Sequence, residues 1–172
     1  MAEATRITLR AIELFERPVR LRMPFRFGVV TLRQCPQAFA RVQVTLPGGR
    51  SAWGAAAELM APKWFDKDLS LSNEDNFDQL RTVLRMAREA YLSDAAPATA
   101  FGHFARHHDT HARASAQQGF NPLLASYGPA LIDRAVLDSA FPGAIAAVGD
   151  ASGATVSGAP GRIDWEASAP PP

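Results

Sequence analysis

Sulfur chemistry is scarce in this chain: among 172 residues there is a single cysteine, Cys35. One thiol excludes an internal disulfide and a cysteine-built zinc cluster, and a reducing, cytoplasmic setting is the natural expectation. Cys35 precedes Pro36 and has no histidine near it in sequence, so no nucleophilic thiol is expected. Neither sign of charge predominates. Lys and Arg number 18 against 17 Asp and Glu, which makes no electrostatic case for nucleic acid. Arg17, Arg20, Arg22, Arg26 and Arg33 do crowd one stretch. They fit a solvated strand face better than an RNA or membrane patch, because bases also need aromatic platforms and Phe25 and Phe27 are a thin set. No apolar run approaches bilayer-spanning length, and the N-terminal residues lack a signal-peptide core. Gly-x-Ser-x-Gly, a phosphate loop and a dinucleotide fingerprint are all missing. No catalytic residue is therefore assigned.

What is present divides near Phe141. Residues 142–172 are mostly Ala, Gly, Pro and Ser, too poor in apolar side chains to offset chain entropy. They read as a disordered tail, either a natural linker or the product of a shifted reading frame in a GC-rich gene. Residues 1–141 read as one domain. Residues 5–22 look extended, with Ile7, Leu9 and Ala11 alternating before the parity changes at Ile12 and Leu14, the mark of a bulge or bend. Pro18 belongs at an edge or strand end. Residues 22–36, with Pro24, Gly28 and Pro36, read as a long loop. A second strand is predicted over 39–46, a tight reversal at Pro47-Gly48-Gly49, and a third strand over 50–58.

From Ser72 the period becomes helical. Phe77, Leu80, Leu84, Ala87 and Tyr91 share one face, with Ser72 as N-cap and Asp75 three residues on. A second helix is predicted over 99–117, burying Phe101, Phe104, His108 and Ala112 and stopping at Gly119. Asn121-Pro122 opens a short helical turn, and Pro129 begins a last helix that packs Ile132, Ala135, Val136 and Ser139. The expected fold is thus α+β: a three-stranded antiparallel meander followed by a bundle of about three helices.

Three stretches carry a resemblance to a known family. They are Met23-Pro24-Phe25-Arg26-Phe27-Gly28; then 41–49, running into Ala52-Trp53-Gly54; and Leu131-Ile132-Asp133-Arg134-Ala135-Val136-Leu137-Asp138. In this order they resemble the N-terminal capping domain of the enolase superfamily, in its mandelate racemase and muconate-lactonizing group, over roughly residues 5–141. Where that group often closes its third strand with Gly-Glu, Gly54 is followed by Ala55, and the nearest acid is Glu58.

The resemblance implies a lid that closes a (β/α)-barrel and shapes a pocket for a carboxylate substrate. In the full-length family, Mg²⁺ assists proton abstraction beside that carboxylate, leading to racemisation, dehydration or cycloisomerisation. It also implies two pocket loops, placing Phe25, Arg26 and Phe27 on the first and Trp53, Lys63, Trp64 and Phe65 on or after the second. The competing reading puts Phe25, Trp53 and Trp64 in the core between sheet and helices. A barrel needs about 250 residues, and nothing in 142–172 resembles one, so the chain is expected to be truncated before the barrel, inactive alone and without a cofactor of its own. The alternative is a stand-alone interaction module, since a lid without its barrel exposes apolar surface to a partner or a second copy. His103, His107 and His111 fall four apart on one helical face, and such a pair can bind zinc. The residue after His107 is His108 and not a zinc hydrolase's glutamate, so an exposed or partly buried polar face, without metal, is expected.

Overall fold

A computed structural model describes residues 5–94 and 96–140; the expected tail over 142–172 lies outside the described residues. Three strands, β1 (Thr8–Phe27), β2 (Val30–Thr45) and β3 (Ser51–Leu59), form an antiparallel sheet in the order β1-β2-β3. Three helices follow: α1 (Asn73–Leu92), α2 (Ala100–Gln117) and α3 (Pro122–Ala140). The α+β meander with three helices is as expected from the alternation and the later helical periodicity.

The first hairpin is longer than the sequence suggested. Residues 22–36, read as a loop, are strand on both sides of a two-residue turn at Gly28-Val29, with Phe27 paired to Val30 and Phe25 to Leu32. Gly28 takes a φ of 51°, which glycine reaches without a Cβ clash. The prolines that argued for a loop are absorbed locally. Pro18 stands opposite Pro36, so two missing donors fall on one rung, and the register slips between Arg20 and Phe25, where Leu21 to Pro24 bulge against Arg33. A second slip between Leu9 and Ala11 is the expected parity switch. The other reversal, at Pro47-Gly48-Gly49, is as predicted, with both glycines at positive φ.

Ala40, Val42 and Val44 of β2 are fully buried beneath the helices. Helix α3 lies along β3 at backbone distance. A Cβ at Gly54 would collide with the backbone of Ser139 and Ala135, and the Ala55 amide donates to Asp138 Oδ2 at 2.8 Å. One amide of the edge strand is thereby paired by a helix side chain, which blunts the open edge at that point. Gly128 plays the same part between helices, since a methyl there would strike the Val83 carbonyl of α1. Helix α1 starts as predicted, in a reciprocal cap: Asp75 donates its amide to Ser72 Oγ and Ser72 its amide to Asp75 Oδ2. Arg81 then ties α1 to β1 through both Glu16 oxygens, at 2.7 and 2.9 Å.

Two helical expectations are corrected. Pro129 does not begin a helix; it lies inside α3, which starts at Pro122 with Asn121 Oδ1 accepting from the Leu124 amide. A proline inside a helix leaves the carbonyl four residues earlier without its donor, here that of Ala125. His111 Nε2 of α2 donates to that oxygen at 2.9 Å and fills the gap. The second correction concerns the face of α2. The buried side chains are His103, His107, His111 and Ser115, whereas Phe101 is 70% exposed and His108 is exposed.

Candidate functional site

The sequence-predicted pocket residues divide into those that converge and those that do not. Beyond the Leu21-to-Pro24 bulge the hairpin tip carries Phe25 and Phe27, with ring centroids 5.5 Å apart. After β3 the chain turns at 61–65 and brings Trp64 edge-on to Phe27 at 5.2 Å. Phe65 in turn stands edge-on to Tyr127 at 5.0 Å. Phe25, Phe27, Trp64 and Phe65, together with Leu32, Glu58, Leu59 and Ala61, line a shallow cavity of about 180 Å³. Phe25, Phe27 and Trp64 thus meet at one site. Phe25 and Trp64 remain about half exposed, so the core reading does not hold for them.

Arg26, Lys63 and Trp53 are elsewhere. Arg26 lies between Phe25 and Phe27 on a strand, where successive side chains alternate between faces, and it is exposed. Lys63 holds the turn together: its Nζ donates to the Leu71 carbonyl at 2.6 Å and its amide to Asn76 Oδ1 at 3.1 Å. It does so at a φ of 61°, a strained value for a residue with a Cβ. Trp53 pairs with Gln43 far along β3 from the cavity, and the Arg41 guanidinium lies 4.1 Å above its ring. That stacked cation accounts for a partly exposed indole without any ligand.

Sequence reasoning passed over Glu58 and Leu32 as pocket residues, while Phe65, placed on the second loop, does line the cavity. Leu32 was hidden because its strand was read as loop; the apolar pairs Phe25/Phe27 and Val30/Leu32 flanking Gly28-Val29 were the available signal. Glu58 is fixed on three sides. Its Oε2 pairs with Arg134 at 3.0 Å, its Oε1 accepts from the Leu59 amide at 3.3 Å, and its carbonyl accepts from Tyr127 Oη at 3.4 Å.

The histidine face of α2 belongs to the interior. His103 Nε2 donates to the Ile7 carbonyl at 3.0 Å, beside the bridge between Ile7 and Ala98. His107 stacks against Tyr91, with centroids 5.0 Å apart. Burial lowers the pKa of both His107 and His111 below the ordinary histidine range, against the opposing pull of Asp94 on His107 and of the Ala125 hydrogen bond on His111. Among the described residues no group of three or more His, Cys, Asp or Glu side chains could hold a metal ion. Cys35 is buried, and desolvation pushes its thiol pKa up, away from the thiolate a nucleophile needs. No helix among the described residues is long and apolar enough to cross a membrane.

No protein-family model matches the chain, and no curated protein does. A crystal structure from Sorangium cellulosum, provisionally described as a mandelate racemase/muconate lactonizing enzyme, is similar at 24% identity over 81% of this chain, with a TM-score of 0.32. The chain spans 31% of that structure's length.

Proposed function

We propose that this chain is the capping part of an enzyme of the mandelate racemase and muconate-lactonizing group, a lid that shapes a carboxylate-substrate pocket and is inactive alone. The observation that carries the reading is the hairpin tip. Two loops that the sequence resemblance marks as pocket-forming bring Phe25, Phe27 and Trp64 around one open, solvent-facing cavity. The order of meander and helices supports it, as does the last helix, packed along β3. The cavity is a wall and not a reaction centre. Complete small-molecule sites enclose roughly 300–1,000 Å³, and this one is smaller. The Mg²⁺ of the full-length family finds no group of three or more His, Cys, Asp or Glu able to hold it among the described residues; in this reading its ligands belong to the barrel.

The test is an assay of the purified chain with Mg²⁺ and a panel of hydroxy acids and sugar acids. No turnover is expected, and turnover would overturn the proposal. Sequencing the coding DNA downstream supplies the positive arm: a barrel sequence in any frame supports the lid, and its absence from all frames removes it. The exposed Met23, Phe25 and Val29 at the same tip favour one further reading, self-association through this surface. Size-exclusion chromatography with light scattering decides it, because a clean monomer ends it.

A further inference from the structure

We infer that the outer edge of β1 is built to turn away a second copy of this chain, and that Pro18 and Arg88 are its guards. Strand β1 ends the sheet, and an end strand offers backbone donors and acceptors on which another chain can pair. Which residues face outward follows from the far side of β2. The Pro36 carbonyl accepts from the Met60 amide at 2.9 Å, just past β3, so Pro36 turns its backbone groups away from β1. In an antiparallel ladder, directly opposed residues either exchange both hydrogen bonds or both turn their groups away from each other. Pro18 is opposed to Pro36 and therefore turns its own groups away from β2. The register runs unbroken from Ile12 to Pro18, which places Ile12, Leu14 and Glu16 on the same outer edge. The Ile12 carbonyl is found there, accepting from Arg88 Nε of α1 at 2.8 Å.

The edge is closed at intervals. At its start Ile7 and Ala98 exchange both backbone hydrogen bonds, at 2.7 and 3.1 Å. Arg88 next occupies the Ile12 carbonyl and sets a cation against the edge, a charge that a docking strand would have to displace or desolvate. Pro18 then presents a ring where another residue would present an N–H. Beyond it the register slips between Arg20 and Phe25, so a straight partner finds no continuous row. Between the guards, Leu14 and Glu16 keep both groups outward. Two residues fall short of the shortest ordinary strand. Pro18 and Arg88 are both exposed, so neither fills the core, and the edge is what they have in common.

The first arm of the test needs no variant. Amide hydrogen exchange, followed by NMR in the unaltered chain, should alternate along 13–17. Glu13, Phe15 and Arg17 face β2 and should exchange at least about tenfold more slowly than Leu14 and Glu16. Equal protection of all five overturns the placement of the edge. The second arm follows Pro18→Thr/Arg88→Met from about 10 μM to about 1 mM. Threonine restores an N–H and suits an extended strand, and methionine keeps most of the arginine stem without its charge. The double variant is expected to self-associate, with Leu14 and Glu16 slowing as concentration rises. Each regained backbone hydrogen bond should strengthen association by about two- to tenfold. Pro18→Thr by itself, which removes no side-chain hydrogen bond, should show the same slowing more weakly. The unaltered chain should show none. Slowing in the unaltered chain, or none in either variant, overturns the inference. Ile132→Val loosens the buried core and leaves the edge intact. If it slows Leu14 and Glu16 as the double variant does, instability and not guarding is the cause, and the inference falls. Association through the tip would leave these two amides fast, so the tip reading and the edge reading fail separately.

Discussion

The hairpin tip and helix α2 invert each other. At the tip, Phe25 and Trp64 stand half in water beside an open cavity; in α2, His103 is completely buried while Phe101 is 70% exposed. Polarity alone would have placed these groups the other way round. The difference lies in what the backbone leaves open. The Ala125 carbonyl below Pro129 has no amide of its own helix to accept from, and the His111 N–H answers it; the Ile7 carbonyl, which already accepts from the Ala98 amide, takes a further bond from His103. An unpaired buried carbonyl costs about 1–3 kcal/mol, as much as burying one phenylalanine side chain gains.

The comparison breaks most sharply at the helix contacts that hold the histidine face in place. Gly128→Val drives a branched side chain into the Val83 carbonyl. It should cost about 3 kcal/mol or prevent folding, as overpacking against backbone does, and urea denaturation measures it. Next in size is His111→Leu, which leaves the Ala125 oxygen bare. About 2 kcal/mol is expected, and a loss below 0.5 kcal/mol would mean that the carbonyl is not the reason for the buried imidazole.

Acid sharpens the same contrast. Folded His107 and His111 have pKa values below the ordinary histidine range because burial disfavours the cation. Their contribution to stability is whole above about pH 6.5 and is lost as pH falls below it, since the unfolded chain then binds protons that the folded one refuses. Asp94, Arg106 and His103 face His107, and His108 faces His111. Asp133, whose pKa burial raises, acts with the opposite sign nearer the carboxylate range. Denaturation midpoints at pH 7.5 and 5.5 isolate the histidines, and the midpoint should be lower at pH 5.5. A flat response would show that the imidazoles are not buried in the folded state. The smallest effect belongs to the tip: Phe25→Ser should change stability by less than about 0.5 kcal/mol, read from the same urea curves. A loss above 2 kcal/mol would make Phe25 a core residue and remove the cavity argument.

Local chemistry was legible in the sequence, and tertiary compensation was not. The Ser72/Asp75 cap, the Pro47-Gly48-Gly49 reversal and the parity slip before Ile12 each depend on residues within a few positions of one another, and all three are where the pattern put them. The length of the first hairpin was hidden because Pro18 and Pro36 look like strand breakers singly, and only their pairing on one rung makes both tolerable. The unity of α3 was hidden because the donor that excuses Pro129 comes from His111, on another helix. The histidine face was misread because two stripes of α2 compete, and apolar content favours Phe101 and Phe104. At the candidate site, it was the family resemblance that singled out Phe25, Phe27 and Trp64, whose rings lie beside one another. Arg26, Lys63 and Trp53 were carried along by proximity in sequence. Strand alternation, the Leu71 carbonyl and the Arg41 guanidinium took each of them elsewhere.

The splice between His111 and Ala125 makes two distant positions heritable as a couple. A descendant that replaced Pro129 with an ordinary residue would regain the helix's own amide at that oxygen and release position 111 from its duty. One that lost the imidazole first would be under pressure to discard the proline next. The proline and the imidazole that answers its missing amide are thus expected to behave as a suppressor pair.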